Sequence, residues 1–414
     1  MTDNNRNSQQ EPNRPLADTD IAKEYEETVF AETGHIPAEL RKTRVLPMVL
    51  LLLMLAVVGY LVLDTWLFLN TTPEEPGKNV TIQIRPGASF VKVANQLKKA
   101  GVITDTKRFR LLGIYHDKLG AVKAGEFMVN TGWKPERVLQ EIVSGSPVVY
   151  KLSIREGLPW WEVAKLIESA GFAKFEDFRA VIHDPAFLRA KNIPFSSAEG
   201  YLFPETYMLQ RPLEMNKASA RAVADVMVDM FYTKVQSLWP RTDIASAEGT
   251  GGTVNGTVSG TVNGTVAVAG DESISGAMPA PDELGRLVIL ASLVEKETGL
   301  VSEQERIAGV YAARLRRGML MQCDPTVIYG LGVSFDGNLT RAHLQDSSNP
   351  YNTYRHRGLP PGPICSPGLG AIAAAVRPEK HNFLYFVSRG DGSHHFSATL
   401  REHNNAVRKY QLGK

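Results

Sequence analysis

The sequence predicts an α+β protein that follows a single membrane-spanning helix. An uncharged apolar run, Val45 to Leu63, is long enough to cross a membrane. Short alternating segments typical of strands then precede segments with apolar residues at helical spacing. From Pro281 onward, long helical patterns flank a region rich in Pro and Gly. This last region favours a mixed α/β domain with a buried helix.

Composition sets the outer limits of the interpretation. The chain has 414 residues, of which 43% are hydrophobic and 22% charged, so it is globular in composition and long enough for two or three domains. The formal net charge is only +2, and the absence of a long basic tract argues against a nucleic-acid partner. Its two cysteines, Cys323 and Cys365, lack metal-ligand spacing. We expect two free, buried thiols, with a single disulfide as the alternative.

The apolar run VLPMVLLLLMLAVVGYLVL predicts a membrane helix over 45–69. At about 1.5 Å per residue it covers a hydrocarbon core of roughly 30 Å. Arg41, Lys42 and Arg44 precede it, whereas Asp64 follows it, so the positive-inside rule predicts a cytosolic N-terminus and a periplasmic C-terminal part. The expected location is the inner membrane. A cleaved signal peptide is the disfavoured alternative, because the polar lead before the run is too long.

Three segments of the chain are predicted to lack a packed core. The tail 1–44 is rich in Asn, Gln, Glu, Asp and Pro, which is typical of disorder, and 70–78 is a linker. The segment 246–280 contains the uncharged repeat GTVN. Its glycine content favours a flexible surface insertion over a short ribbon of Thr-Val pairs.

Small α+β units occupy the region between the linker and the insertion. TIQIRPG alternates like a strand and SFVKVANQLKKAG follows with helical spacing, which places a first module at 79–150. VVYKLSI and REGLPWWEVAKLIESAG repeat this order, so the tandem units are predicted at 79–147 and 148–171. The region 151–245 is predicted to contain the second module and the start of the last domain, which continues at 281–414.

The helical pattern PDELGRLVILASLVEKETG is the strongest indication of a buried helix. Asp282 is a candidate N-cap, Gly299 a candidate stop, and apolar residues fall on nearly every turn. Glu295 and Glu297 are two positions apart, so at about 100° per residue they point to nearly opposite sides.

Glu297 ends an apolar stripe that includes Leu290 and Leu293. Desolvation in such a place favours the protonated acid that proton-transfer chemistry needs. The alternative is structural: Glu297 caps a buried helix or pairs with Arg306 or Arg314.

Loops rich in Pro, Gly and Tyr follow this helix, and such loops often surround clefts. The segments are RLRRGMLMQCDPTVIYGLG and NPYNTYRHRGLPPGPICSPG. They offer aromatic faces for sugar rings and polar groups for hydroxyl or acetamido groups, although each such residue taken singly is more often structural. The candidate substrate-binding residues are Gln322, Asp324, Thr326, Tyr329, Tyr351, Asn352 and Tyr354.

Other catalytic classes have no matching motif. His394, His395 and His403 lack ligand spacing, so we expect no metal site. The sequence contains no Gly-rich phosphate loop, GxSxG motif or Cys/His catalytic pairing.

Four segments resemble, in order, those of the YceG-like (MltG) endolytic murein transglycosylases. These are LASLVEKETG, LRRGMLMQCDPTVIYGLG, YNTYRHRGLPPGPICSPG and FLYFVSRGDGSHHFSATLREHN. The resemblance extends to GYLFPETY, Gly200 to Tyr207, and to a LysM-like module near Asn79, so it covers nearly everything from the membrane helix to the C-terminus. The GTVN repeat is extra, and Cys323 and Cys365 replace residues that are often other small ones.

The resemblance implies a lyase that cleaves within nascent glycan strands of peptidoglycan and leaves a 1,6-anhydro sugar. It implies no metal or organic cofactor, and it puts the catalytic glutamate at Glu297. Peptidoglycan strands, the membrane and peptidoglycan synthases are the expected partners. One carboxyl group can give and then retake the proton, so no second carboxylate is required. The alternatives are a two-carboxylate muramidase using Asp324, and a non-catalytic wall-binding scaffold of the division machinery.

Deleting Gly251 to Val268 tests the interpretation of the GTVN repeat. Because a glycine-rich segment without an apolar face contributes little to a core, the melting temperature and activity are expected to stay nearly unchanged. Differential scanning calorimetry of the deleted and full-length proteins measures this. A drop of several degrees would mean that the repeat packs against the protein.

Overall fold

A computed structural model of the chain describes residues 38–239 and 278–413. The predicted disordered tail falls almost entirely outside these residues, as does the GTVN repeat. The expectations for those two segments therefore remain predictions.

Helix α1, Ala38–Asn70, contains the predicted membrane segment. Within the residues that the structure describes, it is the one helix long and apolar enough to cross a membrane, over Val45–Asn70. Most of its large apolar side chains, such as Leu53 and Leu61, are more than half exposed, as expected of a helix surrounded by lipid.

The region after α1 alternates strands and helices. The first group is β1 (Asn79–Ile84), α2 (Phe90–Lys99), α3 (Thr106–Tyr115), β2 (Gly125–Asn130) and α4 (Pro135–Ser144). Strands β1 and β2 form a two-stranded sheet. The strand-then-helix order predicted from TIQIRPG and SFVKVANQLKKAG is therefore confirmed by β1 and α2.

A second group repeats this order over a longer stretch of chain. It consists of β3 (Tyr150–Ser153), α5 (Trp160–Ser169), α6 (Phe175–Ile182), α7 (Pro185–Ala190) and β4 (Thr206–Leu209). Strands β3 and β4 pair in antiparallel fashion, with Tyr150 opposite Leu209. The strand that closes this group, β4, lies well beyond Gly171, where the second unit was predicted to end. Sequence patterning found the first strand and helix but not this distant partner strand.

The remaining elements are mostly helices. They are α8 (Lys217–Gln236), α9 (Pro281–Glu297), α10 (Val301–Arg316), α11 (Asp324–Leu331), a 3₁₀ turn (Gly332–Ser334), α12 (Arg341–Gln345), α13 (Leu369–Val376), β5 (Tyr385–Ser388), β6 (His394–Ser397) and α14 (Leu400–Tyr410). Strands β5 and β6 form an antiparallel hairpin with Phe386 opposite Phe396. The fold is thus mixed α and β, as predicted.

These elements divide into two compact units. One contains the described residues up to Val80 together with Phe90–Ala121 and Val129–Gln140. The other contains Thr81–Ser89, Val122–Met128 and everything described from Glu141 onward. Helix α9 belongs to the second unit.

Helix α9 is the buried helix that the sequence predicts. Nine residues between Leu284 and Val294 are buried, and the helix packs against α10, α11 and α13. Ala280 occupies the N-cap position in place of the predicted Asp282, because Pro281 starts the helix and puts Asp282 in its first turn. Thr298, rather than Gly299, follows its last residue as the C-cap.

Cys323 and Cys365 are both free and buried, as the sequence analysis expected. Burial raises the pKa of each thiol well above its ordinary value, which suppresses the reactive thiolate.

Iodoacetamide is therefore expected to leave the folded protein unmodified and to label both cysteines after unfolding without reductant. Intact-mass spectrometry reads both states, and a protein that stays unlabelled after unfolding would instead contain a disulfide.

Candidate active site

Glu297 is the last residue of α9, and its carboxyl group is half-buried. The hydroxyl of Tyr311, on α10, donates a hydrogen bond of 2.7 Å to Oε1 of Glu297. Tyr311 itself is only 1% exposed. The carboxyl group of Glu297 is therefore held between the end of one buried helix and the interior of the next.

The phenol of Tyr311 is a fixed donor. Burial, with added repulsion from Cys323 and Glu297, raises the pKa of Tyr311 well above its ordinary value, so the proton stays on the phenol oxygen. Its ring packs edge-on against Phe386 of β5, with centroids 5.9 Å apart. A buried hydroxyl needs a partner, and here Glu297 supplies it.

Neither arginine considered as a partner of Glu297 is paired with it. Arg306 binds Glu379, with 3.0 Å between Nε and Oε2. Arg314 donates from Nε to the carbonyl of Leu384 at 2.6 Å and from Nη1 to a second backbone carbonyl. The ion-pair alternative therefore lacks support in the described residues.

Glu295 has a separate environment, as its position two residues before Glu297 predicts. Its Oε2 accepts a hydrogen bond of 3.0 Å from the backbone N–H of Gly368. Burial, reinforced by the nearby charge of Glu156, raises the pKa of Glu295. The two glutamates at the end of α9 therefore have different partners.

Two of the candidate substrate-binding residues are enclosed. Thr326 is fully buried, and its hydroxyl bonds to the carbonyl of Cys323 and to the hydroxyl of Thr353. Asn352 is also fully buried, and its Nδ2 donates to three backbone carbonyls, including that of Asp346 at 2.7 Å. Because these groups are bonded to the protein itself, both side chains hold loops in place.

Other candidates reach the surface close to Glu297. Gln322 is exposed and has a left-handed backbone, with φ of 55°. The hydroxyl of Tyr354 donates to Oδ1 of exposed Asp324 at 2.6 Å. Burial, and then the hydrogen bond to Asp324, raise the pKa of Tyr354 above its ordinary value.

Tyr329 and Tyr351 belong to an aromatic cluster that has a third member. Their ring centroids are 4.8 Å apart, and the Trp161 ring lies 5.1 Å from that of Tyr329. All three side chains are partly exposed. Sequence reasoning missed Trp161, although the adjacent pair Trp160 and Trp161 at the start of a helical pattern was a visible signal.

Glu199 was also missed, and it is the most deeply buried carboxyl group near this cluster, with 1% exposure. It accepts hydrogen bonds from the backbone N–H groups of Trp160 at 2.9 Å and of Gly200 at 3.3 Å. The Tyr329 hydroxyl lies near its carboxyl group. Helix α5 has Pro159 at its cap and no side-chain cap of its own, so Glu199 satisfies its first free N–H.

The loop around Glu199 requires glycine at the next position. Gly200 has a φ of 84°, and a Cβ there would lie 2.6 Å from Pro363 Cβ. The desolvation of Glu199 outweighs its hydrogen bonds and raises its pKa to about 8. The feature of the sequence that could have pointed to Glu199 is its position directly before the GYLFPETY segment.

The C-terminal histidines have protein partners. Nδ1 of His394 lies 2.8 Å from Oε2 of Glu303, and both side chains are nearly buried. His403 stacks on Tyr385, with centroids 5.2 Å apart. Within 38–239 and 278–413, no three His, Cys, Asp or Glu residues are grouped as metal ligands.

Comparison with known proteins identifies relatives of this chain. A model described as the YceG-like family matches residues 82–409. An endolytic murein transglycosylase of Bacillus subtilis is 27% identical over 361 residues, covering 84% of this chain and 89% of that protein. One from Streptococcus pneumoniae strain R6 is 25% identical, covering 90% of this chain and 66% of that protein. A crystal structure of a yceG-like protein from Listeria monocytogenes has a TM-score of 0.46 and 25% identity, covering 80% of this chain and 99% of that one.

The buried carboxyl group of Glu199 predicts a pH dependence of stability. Its pKa is raised from 4.5 to about 8 in the folded protein, so between these values the folded state holds a proton that the unfolded state has released. Its contribution is fully present below pH 4.5 and is lost as the pH rises to about 8, with a slope of at most about 1.4 kcal/mol per pH unit. Glu199→Gln, which stays neutral, is expected to flatten this fall.

Urea denaturation at a series of pH values measures the free energy of unfolding of both proteins. Glu162→Gln, which changes a 45% exposed side chain on the helix α5 that Glu199 caps, is the matched control and is expected to follow the wild type. Identical slopes for Glu199→Gln and the wild type would show that Glu199 is not a buried, protonated acid.

Proposed function

This chain belongs to the YceG-like family, and we propose that it is an endolytic murein transglycosylase, the name its relatives from Bacillus subtilis and Streptococcus pneumoniae carry. The substrate is the glycan strand of nascent peptidoglycan. The enzyme cleaves the β-1,4 bond between N-acetylmuramic acid and N-acetylglucosamine and leaves a 1,6-anhydromuramoyl end. Cleavage of this kind terminates strand elongation.

The observation that carries the proposal is the geometry of Glu297. Its carboxyl group is half-buried at the end of an apolar helix and is oriented by the Tyr311 hydroxyl at 2.7 Å. A carboxyl group so placed is close to solvent on one side and fixed on the other. It can therefore meet a bound glycan while keeping one orientation, which general acid–base catalysis requires.

The reaction uses this one group in two steps. Protonated Glu297 donates its proton to the glycosidic oxygen as the bond from C1 of muramic acid to that oxygen breaks. The resulting carboxylate then accepts the proton of the C6 hydroxyl as O6 bonds to C1. Glu297 gives up one proton in the first step and regains one in the second, so neither a water molecule nor a second carboxylate takes part.

Five of the candidate residues supply the binding surface in this proposal. Tyr329, Tyr351 and Tyr354 offer aromatic faces to sugar rings, and exposed Gln322 and Asp324 offer hydrogen bonds. Apolar sugar faces pack on aromatic rings because both surfaces leave water together. Thr326 and Asn352 support this surface from beneath by holding its loops.

The enzyme is anchored in the inner membrane by α1. Basic Arg41, Lys42 and Arg44 before the apolar run favour a cytosolic N-terminus and a periplasmic catalytic part. The β1–α2–α3–β2 unit has the strand–helix–helix–strand order of a LysM-like module, a type suited to glycan binding. Peptidoglycan synthases, which make the nascent strands, are the expected protein partners.

Glu297→Gln is expected to lower turnover by at least about a hundredfold, the scale of lost acid–base catalysis. Glutamine keeps the size of the side chain and its acceptor for Tyr311, so folding is expected to survive. Full-length wild type and variant, incubated with purified sacculi, are compared by mass spectrometry of the released muropeptides. The wild-type products are expected to carry anhydromuramoyl ends.

Glu295→Gln is the matched control, since Glu295 lies on the same helix turn but bonds to Gly368. It is expected to retain most of the activity. Reducing ends from the wild type would indicate a hydrolase, with Asp324 as the first candidate for a second carboxylate. Near-normal release of anhydro products by Glu297→Gln would exclude Glu297 as the proton donor.

A further inference from the structure

Helix α3 exposes an apolar face that the interior of its unit does not use. Leu111 is 62% exposed, Ile114 48% and Tyr115 84%. The other side of the helix is packed inward, since Phe109 is fully buried and Leu112 is 8% exposed. Helix α3 therefore has an inner apolar face and an outer one, whereas a surface helix of a soluble protein ordinarily has a polar outer face.

The same compact unit contains the membrane helix, and an ion pair joins it to α3. Nη2 of Arg108 lies 2.7 Å from Oδ1 of Asp64 on α1. Asp64 is the first charged residue after the uncharged run and lies near the C-terminal end of the membrane helix, which places it close to the membrane interface. Trp66 and Tyr60, both more than half exposed on α1, bracket that level with the side chains typical of membrane interfaces.

The outer apolar face lies beside this ion pair. Leu111 and Tyr115 follow Arg108 by three and seven positions, which places all three on one stripe of α3. Ile114 lies next to that stripe. The residues that face away from the core are thus on the side of α3 that meets α1 at the interface level.

Exposed cations surround the apolar face. Lys107 and Arg110 on α3 and Lys118 just after it are all exposed. Lipid phosphates are anionic and attract lysine and arginine side chains near the membrane surface. Interleaved leucine, isoleucine, tyrosine and basic residues are the composition of a helix that lies in a membrane interface.

We propose that the outer face of α3 docks on the phospholipid surface of the leaflet at the C-terminal end of α1. The proposal rests on the membrane placement of α1 and is independent of the transglycosylase chemistry. The Arg108–Asp64 pair fixes α3 at headgroup height, the three apolar side chains enter the interface, and the cations meet lipid phosphates. The first unit then contacts the membrane through α3 as well as through α1.

Site-directed spin labelling of the full-length chain tests this contact. The protein is reconstituted at low density in vesicles of phosphatidylethanolamine and phosphatidylglycerol, so that lipid is the available partner. Single cysteines are introduced as Leu111→Cys, Tyr115→Cys, Val58→Cys and Leu412→Cys. Cys323 and Cys365 are buried, so the label goes to the new, exposed thiol. Collision rates with oxygen, which concentrates in lipid, and with a water-soluble nickel chelate are then measured.

Val58 in the apolar run is the lipid reference, and Leu412 is a matched exposed leucine, at 58% against 62% for Leu111. Labels at 111 and 115 are expected to show a several-fold higher oxygen-to-nickel ratio than the label at 412. If 58 reports lipid while 111 and 115 match 412, the docking of α3 is wrong and the anchor stands. If the label at 58 also reports water, both the membrane placement of α1 and the docking of α3 are wrong.

Discussion

The hydrogen bond from Tyr311 to Glu297 ties the candidate site to the packing of two buried helices. Glu297 ends α9, whose residues before it are enclosed by α10, α11 and α13. Tyr311 is buried within α10, and its phenol keeps its proton because burial makes the phenolate costly. The phenol therefore holds the carboxyl group of Glu297 in one orientation. The chemistry proposed for Glu297 depends on this orientation.

The loop that follows α12 is hydrogen-bonded to α9. The backbone N–H of Ile364 donates to the hydroxyl of Ser292, and the N–H of Gly368 donates to Glu295. The loop also exchanges two backbone hydrogen bonds with the chain before α5, Gly157 to Ser366 and Ser366 to Leu158, each of 2.9 Å. The end of α9 is therefore a junction where loops distant in sequence meet, and this gives the residue types around Glu297 fixed positions.

Glu199 shows how a buried carboxyl group can organise aromatic residues. It bonds to the start of α5, which carries Trp161. It also lies near the hydroxyl of Tyr329, whose ring lies against both Trp161 and Tyr351. Burial makes the ionised form of this carboxyl group unfavourable, so the protonated form is favoured. The aromatic surface proposed to receive sugar rings thus rests on a polar group that no solvent reaches.

The sequence by itself determined the features that depend on local pattern. The apolar run of α1, the strand–helix order at β1 and α2, the burial of α9, and the opposite directions of Glu295 and Glu297 all follow from periodicity along one segment. The residues that complete the site come from distant segments, and for these only the tertiary structure decided the outcome. Tyr311 bonds to Glu297, Glu199 lies near Tyr329, and Thr326 and Asn352 turn inward. These contacts depend on packing and on hydrogen-bond partners from distant segments, which no local periodicity encodes.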